Sequence, residues 1–550
     1  MAPPLKKNVG SAHLDTFARD HLPPQEEWPE LRLDLPELQY PDRINVTGVL
    51  VDEAIAQGHA ERVAVMGVEN RWTYRELAQH VDHIAHVLCA DMGLIPGNRV
   101  LLRGVNTPML FAAWLAVLKA GGIVVATMPM LRGGEIAKII DKAQIDFALC
   151  DYRAMEELDH AREITGRLRQ CLAYGNGELE HRMRAHQRAF TACDTACEDV
   201  ALLAFTSGTT GEPKATMHFH RDILVMADIV GGRLLRMTSS DLVCGSAPLG
   251  FTFGVGALLV FPLRFRAASL LIEKATPEAL LDGIQRHRVT TLFTAPTAYH
   301  SLLPRVAESD ISSLRLCVSA GEPLSKNTSD AWFAATGMRI ADGIGATEMT
   351  HIFISAVGPA IRPGATGIVL PGYEACVLDA AGHPLPPGHV GRLAVKGPTG
   401  CRYLADSRQR EYVQQGWNVT GDLYRIDEDG YFWFQARGDD MIVSSGYNIA
   451  GPEVEAALLR HPAVRECAVV GAPDAKRGTI VKAYIVLHAG MIANVQLVEQ
   501  LQRFSKGSIA PFKYPRAIEF LDELPKTQTG KVQRSVLRQR TASHPRAPPE

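Results

Sequence analysis

Between residues 204 and 220 the chain reads AFTSGTTGEPKATMHFH. Six consecutive positions, Thr206-Ser207-Gly208-Thr209-Thr210-Gly211, carry four hydroxyls and two glycines. Such a segment has nothing to bury. Its hydroxyls and bare amides are donors for phosphate oxygens, and glycine lets the backbone come close to an anion. Lys214 adds a point charge for the same ligand. No Gly-Lys-Ser/Thr closes the loop, so it is not a P-loop, and the same composition also makes ordinary surface turns. Three more polar turns lie downstream: Ala320-Gly321-Glu322-Pro323, Asp342-Gly343-Ile344-Gly345-Ala346-Thr347-Glu348 and Thr420-Gly421-Asp422. Singly, each could be a solvated turn. Jointly they offer phosphate donors, a carboxylate for Mg²⁺ and acceptors for a ribose diol, the groups that nucleoside triphosphate chemistry requires.

These turns sit where strands should end. An apolar run at 200–205 reads as a strand that stops at Thr206. Upstream, strands at 62–68, 100–105, 123–126 and 147–150 alternate with helices starting at Tyr74, at 109–119 and at 135–143. Thr73 and Glu76 form a capping box for the first of these helices. Further strands fall at 269–272, 291–294 and 316–319. Repeated strand–helix units argue for parallel sheets covered by helices, whose loops gather ligands outside the carboxyl ends of the strands. From about Gly367 short strands and Gly/Pro turns suggest a β-rich subdomain. After Arg437-Gly438-Asp439-Asp440 come a helix at 453–460, strands at 466–470 and 481–487, and a helix at 495–505, enough for a small α+β domain. Residues 1–45 read as an irregular arm.

At 550 residues the chain exceeds a single core. A net charge of −3, with 46% hydrophobic and 21% charged residues, gives no electrostatic case for nucleic acid or an anionic membrane. The N-terminus lacks a secretory pattern. The uncharged stretch 242–263 contains Pro248, Pro262 and several glycines, and it reads as buried loops and short strands near a pocket. The 10 cysteines are scattered without a zinc spacing, as expected of reduced thiols in a cytoplasmic protein.

In order, residues 206–214, Gly345-Ala346-Thr347-Glu348, Thr420-Gly421-Asp422, Arg437-Gly438-Asp439-Asp440 and the run from Pro525 to Lys531 resemble the core motifs of the adenylate-forming superfamily. That superfamily holds acyl-CoA synthetases, luciferases and peptide-synthetase adenylation domains. The resemblance covers nearly the whole chain. Residues 342–354 (DGIGATEMTHIFI) and 250–256 (GFTFGVG) are most similar to benzoate–CoA and 2-aminobenzoate–CoA ligases.

The resemblance implies an α/β fold with a large N-terminal domain of two helix-covered sheets plus a β-rich subdomain (1–436), a hinge (437–440) and a small mobile α+β domain (441–543). It implies a two-step reaction. A carboxylate attacks Mg·ATP to give an acyl-AMP and pyrophosphate, and the thiol of coenzyme A then displaces AMP. Carried over, Thr206, Ser207, Gly208, Thr209, Thr210 and Lys214 hold the phosphates. Glu348 holds Mg²⁺, with Thr347 near the α-phosphate. Gly321, Glu322, Pro323 and Asp342 serve the nucleotide around adenine, and Asp422 with Arg437 the ribose. Lys531 stabilises charge in the first step. Thr252, Phe253, Gly345 and His351 line an aryl pocket. Asp439 is the pivot, after which the loop Ser444-Ser445-Gly446-Tyr447-Asn448 faces the site and Gly446 lets the pantetheine arm pass. Lys513 and Arg516 either meet CoA phosphates or form solvated charge pairs.

Two positions depart from the pattern: Ile344 stands where many members stack an aromatic ring on adenine, and Ala215 replaces a common glycine. The reading is an aryl-CoA ligase, monomer or homodimer, for a benzoate- or 2-aminobenzoate-like acid. Its rivals are a stand-alone enzyme that loads a carrier protein in trans, a medium-chain fatty acyl-CoA ligase and a non-catalytic nucleotide-binding relative.

Overall fold

A computed structural model describes residues 10–543 except 69, 207–211, 445–446, 475–477, 510–512 and 528–529, with backbone only at 439, 443, 447–448, 478 and 542–543. The chain forms two compact units, Met1–Leu324 with Thr328–Ala375 and Val395–Val419, and Ser325–Asn327 with Cys376–Ala394 and Thr420–Glu550.

The first unit holds two sheets. In one, strands Gln170–Tyr174, Phe147–Asp151, Arg99–Arg103, Ile123–Thr127 and Val200–Thr206 run parallel in that spatial order, and Lys214–Phe219 closes the edge antiparallel. In the other, Ile340–Gly345, Leu316–Ala320, Thr291–Thr294, Leu242–Gly245, Ala268–Leu270 and Val63–Met66 are mutually parallel, flanked by antiparallel edge strands. The inner strands are mostly apolar and buried on both faces, as parallel sheets between helices require.

Helix starts follow their caps. Thr73 accepts from Glu76 N–H while Glu76 returns the bond, completing the expected capping box. Thr107 caps the helix Pro108–Lys119, whose Pro108 sits where no N–H is needed. That helix is buried all round, and its terminal Lys119 ammonium is held by Asp52 at 2.8 Å and Asp82 at 2.6 Å.

One expectation needs correction. After the strand Leu242–Gly245 and a turn, residues 252–264 are helical throughout, as α-helix Thr252–Val255, π-helix Gly256–Val260 and α-helix Phe261–Arg264, not loops and strands. Proline normally breaks a helix through its missing N–H and its ring. Here Pro262 falls in the first turn after a π segment, where the wider backbone accommodates it. No helix among the described residues is long and apolar enough to cross a membrane. None of the ten cysteines forms a disulfide among the described residues.

In the second unit a hairpin pairs Asp422 with Arg437, and the turn Gly438–Asp440 follows as a short 3₁₀ helix. Beyond it lie the hairpin Met441–Ser444/Tyr447–Ala450 and a three-stranded sheet, Val464–Asp474, Gly478–Leu487 and Ala517–Phe520, with helices Gly451–Leu458, Val495–Ser508 and Arg534–Ser543. Both hairpins, the third strand and the last helix are additions to the sequence reading.

Candidate active site

Strand register gathers the polar turns of the first unit. Gly245 pairs with Phe293, Thr294 with Ser319, and Ala320 with Gly343, so the turns that follow these strands emerge side by side at their carboxyl ends. Gly321 opens its turn with φ of +90°, a left-handed conformation that glycine alone adopts without strain. Glu322 and Pro323 follow in the same turn.

Thr206 and Lys214 are the paired end residues of a hairpin. The intervening Ser207, Gly208, Thr209 and Thr210 lie outside the described residues. On the second strand of that hairpin, His218 is fully buried. Its Nε2–H donates to the Thr347 carbonyl at 2.8 Å, which leaves Nδ1 as acceptor for the Thr350 hydroxyl at 3.3 Å. Burial lowers this imidazole to about 4, so it is neutral at pH 7. Thr350 takes φ of +72°, uncommon for a β-branched residue, in the turn His218 supports.

Glu348 receives a 2.6 Å hydrogen bond at Oε1 from the phenol of Tyr403, which is buried. The Lys214 ammonium lies 5.2 Å from the centroid of the same ring. Neither His218 nor Tyr403 emerged from the sequence. His218 was visible in the quoted stretch, but Tyr403 stands in an unremarkable segment, and only its contact with Glu348 distinguishes it.

Asp342 is partly exposed, yet its Oδ1 is enclosed and unpartnered among the described residues. Burial pushes this carboxyl up to about 7, against the opposing effect of backbone N–H groups from Gly343 and Leu324.

His351 is buried between Phe253, at 5.5 Å between ring centroids, and Phe261, edge-on at 4.7 Å. Its Nε2–H points to the Phe253 carbonyl at 3.4 Å, and its Nδ1 has no partner among the described residues. Burial lowers it to about 3. Thr252 starts the helix that carries Phe253. A Cβ on Gly345 would lie 2.7 Å from the His351 carbonyl group, so only glycine permits this approach.

In the second unit Arg437 Nη1 donates to Asp422 Oδ1 at 3.1 Å. Burial raises the Asp422 carboxyl, while Arg437, the Thr420 hydroxyl and the Lys531 charge lower it. Lys531 lies before, not in, the helix Arg534–Ser543. Its turn is closed by Thr527 N–H to the Lys531 carbonyl at 2.6 Å and Lys531 N–H to the Thr527 hydroxyl at 3.1 Å. Lys513 is held by both oxygens of Glu453 at 2.6 Å. Gly446 and the Asp439 side chain lie outside what the structure describes.

The AMP-binding enzyme family matches residues 52–403, and its C-terminal domain matches 453–531. The chain belongs to the AMP-binding enzyme family. This places it in the adenylate-forming superfamily, as an AMP-forming acid–thiol ligase. Among its relatives, a benzoate–CoA ligase of Thauera aromatica is 33% identical over 518 residues, 92% of this chain and 97% of that protein. The mitochondrial acyl-coenzyme A synthetase ACSM3 of Mus musculus is 32% identical, covering 86% of this chain and 85% of its own. The crystal structure of the anthranilate CoA ligase AuaEII in complex with anthranoyl-AMP superposes with a TM-score of 0.88 at 32% identity, covering 92% of this chain and 99% of that one. The mixed α/β architecture is that of these AMP-binding enzymes.

Proposed function

We propose that this AMP-binding enzyme is an ATP-dependent aryl-CoA ligase acting on a benzoate- or 2-aminobenzoate-like acid. The observation that carries the reading is the cluster of Phe253, Phe261 and His351, with a buried neutral imidazole nitrogen that has no partner among the described residues, close in sequence to the Thr347–Glu348 turn. An aromatic-walled site with one polar group suits a flat ring with a polar substituent. Because Nε2 carries the proton toward Phe253, Nδ1 is an acceptor and favours an amino or hydroxyl substituent. Similarity to benzoate–CoA and anthranilate–CoA ligases supports the same class.

In the first step the acid's carboxylate attacks the α-phosphorus of ATP. Thr206, Ser207, Gly208, Thr209, Thr210 and Lys214 orient the phosphates, Thr347 accompanies the α-phosphate, and Lys531 stabilises charge growing on the transferred group. Gly321, Glu322, Pro323 and Asp342 serve adenine, and Asp422 with Arg437 the ribose diol. The second oxygen of Glu348 has no partner among the described residues, and no group of three or more His, Cys, Asp or Glu side chains there could cage a metal. That donor set fits Mg²⁺ shared with phosphate oxygens, which Glu348 would hold and which would neutralise phosphate charge. In the second step the small domain, 441–543, turns about Asp439 within the hinge 437–440, Lys531 withdraws, and the CoA thiol reaches the acyl-AMP past Gly446.

A pyrophosphate-release screen over substituted benzoates and C6–C10 fatty acids, with and without CoA, tests the reading. Release driven by fatty acids and not by benzoates would replace it with an acyl-CoA synthetase of the kind the ACSM3 relative represents. Aryl transfer to a carrier protein with CoA untouched would replace the acceptor.

A further inference from the structure

Tyr403 links two of the groups assigned above, and the segment around it is built to hold it there. Residues 402–404 run along the edge of the strand Lys214–Phe219: Met217 N–H donates to the Arg402 carbonyl at 2.7 Å, and Leu404 N–H to the Ala215 carbonyl at 2.9 Å. Tyr403 N–H is fixed to Gln409 Oε1 at 2.9 Å, and Tyr412 packs edge-on against the ring at 5.9 Å. Arg402, next in line, is fully buried and paired with Asp222 at 2.9 Å. The phenol therefore has one placement. From it the hydroxyl donates to Glu348 Oε1 at 2.6 Å, and the ring face receives the Lys214 ammonium.

A glutamate on a turn has three side-chain torsions, and an exposed one samples many directions. A short hydrogen bond to one oxygen selects one of them and leaves the other oxygen as the acceptor with no partner among the described residues. We propose that Tyr403 is a positioning residue for divalent-cation binding: its hydroxyl aims Glu348 Oε2 at the metal that accompanies ATP, while its ring sets the place of Lys214. This rests on the adenylating reading of the site.

The test is binding of Mn²⁺, followed by its electron paramagnetic resonance signal, to enzyme saturated with α,β-methylene-ATP. Tyr403→Phe keeps the ring and removes the hydroxyl. It is expected to weaken Mn²⁺ binding roughly tenfold, the factor one charge-assisted hydrogen bond supplies. Metal-free affinity for the nucleotide analogue should stay within about twofold, because the ring still faces Lys214. Tyr403→Leu should weaken both. Since Tyr403 acts through Glu348, the Tyr403→Phe effect should vanish in a Glu348→Gln background. Equal Mn²⁺ affinity in wild type and Tyr403→Phe, or a tenfold effect that persists beside Glu348→Gln, overturns the assignment alone. Wild-type enzyme that takes up no Mn²⁺ with the nucleotide overturns the adenylating reading as well.

Discussion

Adding one methyl group at Gly256 probes the proposed aryl site through His351. A Cβ there would lie 2.4 Å from His351 Cδ2, 2.7 Å from Nε2 and 2.9 Å from Phe261 Cζ. Ordinary carbon contacts are about 3.5–4.0 Å, so the imidazole must retreat by roughly 1 Å. Phe261 is fully buried and already edge-on to His351 at 4.7 Å, which leaves the side toward Phe253 as the route. Movement that way disturbs the 3.4 Å contact with the Phe253 carbonyl and shifts Nδ1 from the position proposed to meet the substrate. Overpacking of this kind costs about 1–3 kcal/mol. Felt in substrate binding, that becomes about a 5- to 150-fold rise in KM for the aryl acid, at about 1.4 kcal/mol per factor of ten. KM for ATP should stay within about twofold, because the three atoms nearest that Cβ belong to His351 and Phe261 and to none of the residues proposed for the nucleotide. Continuous pyrophosphate release, with acid and ATP varied in turn, separates the two. Gly134→Ala is the control: no atom lies within 4 Å of its Cβ position, and alanine in a helix is favoured over glycine by about 1 kcal/mol. An unchanged acid KM in folded Gly256→Ala, or equal rises for acid and ATP, would refute the proposed role of His351 in binding the acid.

Lys531→Ala is expected to lose most pyrophosphate release yet retain thioester formation from supplied aryl-AMP, and equal loss in both half-reactions would remove its assigned role. Asp439→Pro, by fixing the backbone of the proposed hinge, should spare adenylation and block thioester formation; survival of both steps in a coupled assay contradicts the proposed rotation about that residue. Acid should destabilise the fold. His218 is lowered to about 4, and His220 and His351 to about 3, all chiefly by burial. The unfolded chain binds their protons near pH 6.5 and the folded one does not, so stability is full above that pH and falls as pH drops toward 4. Asp342, raised to about 7, works in the opposite direction for one proton and leaves a net loss. Urea midpoints measured from pH 7.5 to 4.5 should therefore fall, and a flat profile would count against buried neutral histidines.

Strand positions in both parallel sheets were legible because apolar runs ended at Gly-rich turns, and Thr291–Thr294 coincides with its predicted bounds. Edge strands such as Arg71–Thr73 were not, since RWT has no period to read over three residues. The stretch 252–264 misled because its glycines and Pro262 argue locally against the helix that packing imposes. Among site residues, those in turns carried a signal of type and spacing. Tyr403 and His218 carried none, because a tyrosine or histidine amid apolar neighbours reads as core until its partner, Glu348 or the Thr347 carbonyl, is known. His351 stands between the two cases. Its spacing from Glu348 suggested the pocket, and the lack of a partner for its Nδ1 among the described residues is what a sequence does not reveal.

The most direct measurement offers the enzyme ATP, Mg²⁺ and CoA with benzoate, 2-aminobenzoate, hydroxybenzoates and C6–C10 fatty acids in parallel, following pyrophosphate and thioester together. An aryl-CoA ligase gives both products in equal amounts from an amino- or hydroxybenzoate, with fatty acids at least tenfold slower in kcat/KM, the discrimination a shaped pocket supplies. Pyrophosphate without aryl-CoA, or thioester from fatty acids in preference to every benzoate, would contradict it.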